Sequence, residues 1–360
     1  MDQTDGWLVL NGSGLTPRRQ RQLIERFGEP LNALAVEDAE LQQTQALTIE
    51  HVRQLRRAQQ ELDLPRLRQK LTDLSISLLP ITDPLYPRLL TESADPPPLL
   101  FLDGEITKRD EMAVAIVGTR LCTPYGQLAA RRLGRELAQR GFTIVSGLAL
   151  GIDAEAHEGA LEAGGRTLGI MASGPDTTYP PSHKNLRQRM KHCGGAVTEY
   201  AFGSPPLRER FPSRNRIIAG MTLGTLVIEA PIKSGALITA NLAAEYGREV
   251  MAVPGSIESP VSHGCHDLIK NGARLIEVVE DVVEALGIML EAVPAQRPKT
   301  PTHVSSDEQT VLDALSFQPR HVDEVATQTE LPVSRINSAL MLLEMKTLVR
   351  RFPGSTYVRL

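Results

Sequence analysis

Short apolar runs alternate with amphipathic stretches through the middle of the chain. Ala113–Gly118, Thr143–Ser146, Thr167–Met171, Leu226–Ala230 and Glu249–Val253 are four to six residues long and largely apolar. Runs of this kind predict buried strands of a parallel sheet. The helical stretches between them predict right-handed crossovers. Residues 75–290 therefore read as an α/β domain built on a parallel sheet. The stretch 76–103, with Pro80, Pro84, Pro87 and Pro96-Pro97-Pro98, reads as an irregular extension onto that sheet.

The flanks have a different period. Residues 1–72 read as a domain of short amphipathic helices. Thr16-Pro17 offers an N-cap followed by Pro at the first helical position. Leu23, Ile24 and Phe27 follow at helical spacing, and Gly28-Glu29-Pro30 stops the helix. Glu50–Leu71 places Val52, Leu55, Leu62, Leu67 and Leu71 on one face, with a break expected at Pro65. Gly12-Ser13-Gly14 before a helix resembles a helix-hairpin-helix or SAM-like element, which can hold a DNA phosphate on backbone amides. A bundle that only packs on its neighbour is the alternative. Residues 291–303, rich in Pro, Ala and Thr, read as a linker. In 304–360, Asp307–Phe317, Val322–Thr329 and Val333–Lys346 read as helices, followed by a hairpin turning at Pro353-Gly354. That order is a winged-helix pattern.

Chemistry enters at the strand ends. Ser146-Gly147-Leu148-Ala149-Leu150-Gly151-Ile152-Asp153 joins a predicted strand to a predicted helix. A small-residue loop in that position is how an α/β protein builds an anion site; a tight turn without ligand is the alternative. Gly118-Thr119-Arg120 and Lys233-Ser234-Gly235-Ala236 follow two other strands. Ligands of open parallel sheets lie outside the carboxyl ends. The three loops therefore predict one pocket, with phosphate contacts from Gly118, Thr119, Arg120, Ser146, Gly147, Gly151, Ser234 and Gly235. Arg120 is its fixed cation, because a guanidinium fork matches a phosphate. Neither GxGxxG nor GxxxxGK[ST] is present.

Charge sharpens this picture. From Lys184 to Arg216 the cations are Lys184, Arg187, Arg189, Lys191, Arg208, Arg210, Arg214 and Arg216, and the acids are Glu199 and Glu209. The whole chain has a formal net charge of −4. A basic stripe beside a phosphate pocket is a polyanion footprint. A solvated helix face explains Lys184–Lys191 as well, but not Arg214-Asn215-Arg216, whose apolar neighbours make unpaired charge costly. Lys184, Arg214 and Arg216 are expected to extend the track, with Asn215 bonding sugar or base. In the winged-helix region, Arg335, Asn337, Ser338 and Lys346 face Glu344 as the opposing charge. Six Lys/Arg against seven Asp/Glu from His303 to Leu360 make that region a poor non-specific polyanion binder. Weak duplex contact, protein contact and packing alone stay open for it.

VGTR at 117–120, SGLALGIDAEAH at 146–157, YPPSHKNL at 179–186 and FPSRNRIIAG at 211–220 resemble the motif series of the DprA/Smf family. So do SGALITANLAAEYGREVMAVPG at 234–255 and GCHDLIKNGA at 264–273. The resemblance implies a single-stranded DNA-binding recombination mediator that protects incoming DNA and loads the RecA recombinase in natural transformation. It also implies an extended Rossmann fold, a homodimer through His266, Ile269 and Leu275, and a small DML1-like winged-helix domain. Closure of the core by Ile269 and Leu275 is the alternative to the dimer contact. Pro181 stands where members often carry a lysine, so the nearest cation is Lys184.

Composition agrees with a cytoplasmic globular protein. No run reaches the length of a membrane helix. Cys122, Cys193 and Cys265 are far apart, which speaks against a disulfide framework or a zinc site. No metal or cofactor is expected. Phe, Trp and Tyr make up 4% of residues, too few for extensive base stacking. Tyr125, Tyr179, Phe202 and Phe211 lie near the motifs and read mainly as core. Asp153 and His157 share a helix face without a nucleophile beside them, which favours a structural role over acid–base catalysis. Gly224-Thr225-Leu226-Val227-Ile228-Glu229 is similar to the GTxxE ending of nucleotide phosphoribohydrolases, but Met221-Thr222-Leu223 replaces their PGG. A hydrolase is thus the alternative function.

Overall fold

A computed structural model describes residues 1–43, 47–288, 304–316, 319–346 and 348–359. The expected linker at 291–303 lies outside them. The chain divides into two compact units, one of residues 1–121 and 130–289 and the other of 122–129 and 290–360.

The first unit is built on one sheet of nine strands: β1 (Ser77–Pro80), β2 (Leu99–Gly104), β3 (Ala113–Val117), β4 (Thr143–Ser146), β5 (Thr167–Ile170), β6 (Gly194–Thr198), β7 (Gly224–Val227), β8 (Glu249–Ala252) and β9 (Arg274–Leu275). Their spatial order is β1-β2-β6-β5-β4-β3-β7-β8-β9. From β6 to β9 every pairing is parallel, while β2 runs antiparallel to β6, and β1 to β2. The five expected strands are β3, β4, β5, β7 and β8, with ends moved by a few residues. The chain leaves β3 toward β4, β5 and β6, then returns to the other side of β3 with β7. That reversal puts a crevice at the carboxyl ends of β3 and β7, the usual ligand position in such sheets.

Residues 76–103 are more regular than expected. Pro96-Pro97-Pro98 ends just before β2, and both β1 and β2 are hydrogen-bonded strands. β6 is hidden in sequence by Gly194-Gly195, which carry no apolar signal. A Cβ at either glycine would stand 2.3 Å from a neighbouring backbone oxygen, Thr167 O or Asp103 O. The glycines thus allow β5 and β2 to close on β6.

The N-terminal helices pack on this sheet. Along β2 successive side chains point to opposite faces. Leu100 and Leu102 enter the main core with Val117, Val145, Leu168 and Val227. Leu99 and Phe101 enter a second core with Trp7, Leu10, Leu23, Leu41 and Leu55. Thr16 caps the helix Pro17–Phe27 at 3.4 Å from the Arg19 amide. The expected break falls between the helices Ile49–Glu61 and Leu64–Leu74, with Pro65 at the start of the second. The Gly12-Ser13-Gly14 turn uses its own polar groups: the buried Ser13 hydroxyl donates to Leu10 O (2.6 Å) and accepts from the Leu15 amide (3.3 Å). Asn11 Nδ2 donates to Glu199 O at 2.9 Å, tying the bundle to the sheet.

In the second unit, the helices Ser306–Ala314, Val322–Thr329 and Val333–Met345 pack with β10 (Arg320–His321), β11 (Val349–Phe352) and β12 (Thr356–Arg359), in the order β10-β12-β11. Val311, Ile336, Leu340, Leu343 and Tyr357 form its core. The third helix has little free charge. Arg335 pairs with Asp307 and Lys346 with Glu308, while Val333, Met341, Leu342 and Met345 are exposed. No described helix is long and apolar enough to cross a membrane.

Phe101 is 1% exposed and meets Phe202 edge-on, with ring centroids 5.7 Å apart. Phe101→Ala is expected to cost about 3–5 kcal/mol. Trp7, the one tryptophan of the chain, reads the bundle directly. Its fluorescence transition in urea should move to lower denaturant in the variant. An unmoved transition would show that the bundle folds without the sheet.

Candidate functional site

A cleft of about 330 Å³ opens at the β3–β7 crevice. Gly118, Thr119, Arg120, Arg214, Asn215, Ser234 and Gly235 line it, together with Leu121, Asp153, Phe211 and Ile238. Four segments supply these residues: the loop after β3, the loop after β7 with the start of the helix Gly235–Glu245 that follows it, Asp153 at the start of the helix Ile152–Glu162, and the helix Arg210–Gly220. On that helix Phe211, Arg214, Asn215 and Ile218 are spaced by three and four, so they share the face turned to the cleft.

Ser146, Gly147, Gly151, Lys184 and Arg216 do not line the cleft. Ser146 is fully buried and donates to Ile116 O at 2.6 Å. The Gly147 amide donates to Asp153 Oδ2 at 3.0 Å, and the Ala149 amide at 3.4 Å. The loop is an anion nest, and the anion is the protein's own carboxylate. A Cβ on Gly147 would stand 2.5 Å from Arg214 Nη2 and 2.7 Å from Asp153 Oδ2, so the glycine admits both charges. Gly118 and Gly151 are packing positions too: a Cβ would meet Ile152 at the first and Thr119 O at the second, each at 2.5 Å. The Thr119 amide is spent on Glu229 O (2.7 Å).

Arg214 and Arg216 do not form a track. Two residues apart on a helix, their side chains diverge. Arg214 is 4% exposed. Its Nη1 donates to Gly147 O at 2.6 Å and to Ile170 O, and its Nε to Asn215 Oδ1 at 3.2 Å. Burial pushes its guanidinium down to about 10, with Asp153 opposing the shift, so it stays charged at neutral pH. Burial pushes the Asp153 carboxyl up, and Arg214 opposes it. Arg216 pairs with Glu199 and lies 3.7 Å from Asp95. Asn215 Nδ2 donates to Gly235 O at 3.2 Å, and Ser234 Oγ accepts from the Ala236 amide at 3.3 Å.

The basic stripe is largely consumed in the same way. Arg187 and Lys191 pair with Asp103, and Arg189 grips Glu158 with two bonds of 2.8 Å. Lys184, Arg208 and Lys233 are exposed and show no ion pair among the described residues. Arg120 is exposed as well, and its guanidinium lies over the Phe211 ring at 5.0 Å from the centroid. Tyr179, 43% exposed, meets Phe211 edge-on at 5.7 Å. Reading Tyr179 and Phe211 as core missed this platform. The signal was available in the spacing of Phe211 from Arg214 and Asn215.

The expected dimer residues lie elsewhere, near the β9 edge. His266 Nε2 is 3.1 Å from Gly255 O, Ile269 packs half-buried on the main core, and Leu275 is 42% exposed.

A model of the DNA recombination-mediator protein A family matches residues 77–287, which contain the whole cleft. The chain belongs to that family. A second model, the DprA winged helix domain, matches residues 294–355 of this mediator-family protein. Protein Smf of Escherichia coli is 38% identical over 85% of this chain and 84% of its own length. Protein Smf of Synechocystis is 37% identical over 77% and 78%. The X-ray structure of DNA processing protein A from Streptococcus pneumoniae superposes with a TM-score of 0.69 at 35% identity, covering 77% of this chain and 95% of that one. The Helicobacter pylori protein, described for its single-stranded DNA binding mode, gives 0.53 at 30% identity over 59% and 96%.

Beneath the family's cleft, Asp153 and His157 serve different partners. His157 Nδ1 is 2.6 Å from Thr167 Oγ1, whose own proton goes to Ile144 O at 2.8 Å. The proton of the imidazole therefore sits on Nδ1. Burial pushes His157 down to about 3 from its ordinary 6.5. The unfolded chain takes up a proton below the ordinary value and the folded chain does not. Stability contributed by neutral His157 is thus present above that value and lost as pH falls through the window, by about 1.4 kcal/mol per pH unit. Urea melts from neutral to mildly acid pH should show a shallower loss in His157→Gln than in the parent. Equal slopes would refute the assignment.

Proposed function

We propose that this chain binds single-stranded DNA along the carboxyl edge of its sheet and acts as a non-enzymatic recombination mediator. The observation that carries the reading is Arg120. It is an exposed cation with no carboxylate partner among the described residues, laid on Phe211 at the mouth of the cleft. A guanidinium placed over a ring, with no carboxylate to bind, keeps donors free for a phosphate. Tyr179 and Phe211 present the π surface on which an unpaired base stacks. Lys184 and Lys233 extend the phosphate path, and Ser234 and Gly235 border it. Gly118, Thr119, Ser146, Gly147, Gly151, Arg214, Asn215 and Arg216 hold the edge in shape. Backbone contacts of this sort position a strand without reading its sequence.

The family and the single-strand binding described for the Helicobacter pylori protein support this reading. Protection of an incoming strand and loading of RecA belong to the same proposal; co-purification of RecA with the full chain reads the contact, and its absence counts against loading. A homodimer through the edge that carries His266, Ile269 and Leu275 would join two cationic edges and raise strand affinity by effective concentration. A monomer mass in light scattering ends that part. The winged-helix unit, whose third-helix cations are paired, is suited to a protein contact. The hydrolase alternative finds less support, because Glu229 is buried and absent from the cleft lining.

Arg120→Ala tests the reading. A charged contact of this type contributes about 1.5–3 kcal/mol, so the folded variant should lose about tenfold or more in single-strand affinity. Losing one phosphate contact should also lower the slope of log affinity against log salt by about 0.7. A folded variant that binds as the parent does would remove the cleft from the site. In the same titration, a chain ending at Thr302 should keep single-strand affinity within about tenfold of the parent.

A further inference from the structure

We infer that discrimination of single-stranded from duplex DNA resides in a collar of exposed aliphatic side chains around the cleft, which contacts the faces of unpaired bases. The inference rests on the single-strand reading above and names what that site recognises besides phosphate.

The collar comprises Leu121, Leu150, Ile232 and Ile238, which are 87%, 47%, 66% and 41% exposed. Leu121 follows β3, Leu150 follows β4 and Ile232 follows β7, so all three stand at the carboxyl edge. Ile238 lies in the first turn of the helix Gly235–Glu245. Leu121 and Ile238 line the cleft itself. A single exposed aliphatic residue is ordinary, but several around one cleft need an occupant.

Charge identifies that occupant. On two of the loops the aliphatic residue adjoins a cation without an ion pair among the described residues: Arg120-Leu121 and Ile232-Lys233. The loop segments 118–121, 147–151 and 231–235 contain those two cations and no acid. An apolar surface interleaved with uncommitted cations complements a strand whose phosphates and bases alternate. In a duplex the base faces are stacked and only edges reach the grooves, so aliphatic side chains gain nothing from them. In an unpaired strand the faces are open. The aromatic platform is one Tyr–Phe pair, and the aliphatic collar supplies the remaining apolar area.

The test compares oligothymidylate with an abasic oligonucleotide of equal length, by fluorescence anisotropy on the full chain. The parent should bind thymidylate at least about tenfold more tightly than the abasic strand. In Leu121→Ser/Ile232→Ser that ratio should fall toward one. Both side chains are largely solvent-exposed, so the variant should keep the parent's melting curve; Leu150→Ser is a second, independent variant. Equal binding of the two oligonucleotides by the parent overturns the collar and leaves the phosphate reading standing. A ratio that persists in both variants overturns it too. Failure of the parent to bind either oligonucleotide overturns the single-strand reading together with the collar.

Discussion

The Arg214 guanidinium is buried where the carboxyl ends of β4 and β5 meet the helix Arg210–Gly220, and it donates to the Gly147 and Ile170 carbonyls. Asp153 meets the same face of Gly147 and accepts from the Gly147 and Ala149 amides. One cation and one carboxylate thus satisfy the polar backbone of a loop that would otherwise be buried unpaired. Removing either side chain leaves buried loop groups without their partners, at a cost of about 1–3 kcal/mol per group. The position of Arg120 and Phe211 depends on this pair, because the helix that carries Arg214 also carries Phe211 one turn earlier.

This arrangement separates two kinds of charge. Arg187, Arg189, Lys191, Arg214 and Arg216 are spent inside the protein, on carboxylates or carbonyls. Arg120, Lys184, Arg208 and Lys233 keep their charge for solvent or ligand. Only the second kind contributes to counterion release when a polyanion binds. The electrostatic footprint is therefore narrower than the count of basic residues from Lys184 to Arg216. It is also displaced, toward the loops after β3 and β7.

The sheet was legible because its central strands are apolar on both faces, and a run such as Ala113–Val117 admits little else. The crevice was legible for the same reason, since a parallel sheet with one reversal puts it at known strand ends. β6 was not legible, because Gly194 and Gly195 form a strand through close approach, which leaves no apolar pattern. The site was half legible. Arg120, Ser234 and Gly235 could be read from their place at strand ends, and the cleft contains them. The fate of each remaining cation could not, because pairing with Asp103, Glu158 or Glu199 is a long-range fact. The nest at 146–151 has the local form of a phosphate loop, and only the fold reveals Asp153 inside it.

The commitments that build the site also weigh against chemistry within it. A general base needs a carboxylate or imidazole that can reach a substrate and titrate near the working pH. Asp153 is the carboxylate at the cleft; it accepts from two amides, and burial pushes its carboxyl up while Arg214 opposes the shift. His157 is buried, bonded to Thr167 and held neutral far below neutral pH. What remains accessible is a guanidinium, an edge-on aromatic pair, small polar loop residues and aliphatic side chains. Those groups offer charge and apolar surface to a ligand. That inventory matches the proposed single-strand reading, in which charge and apolar contact rather than covalent chemistry hold the ligand.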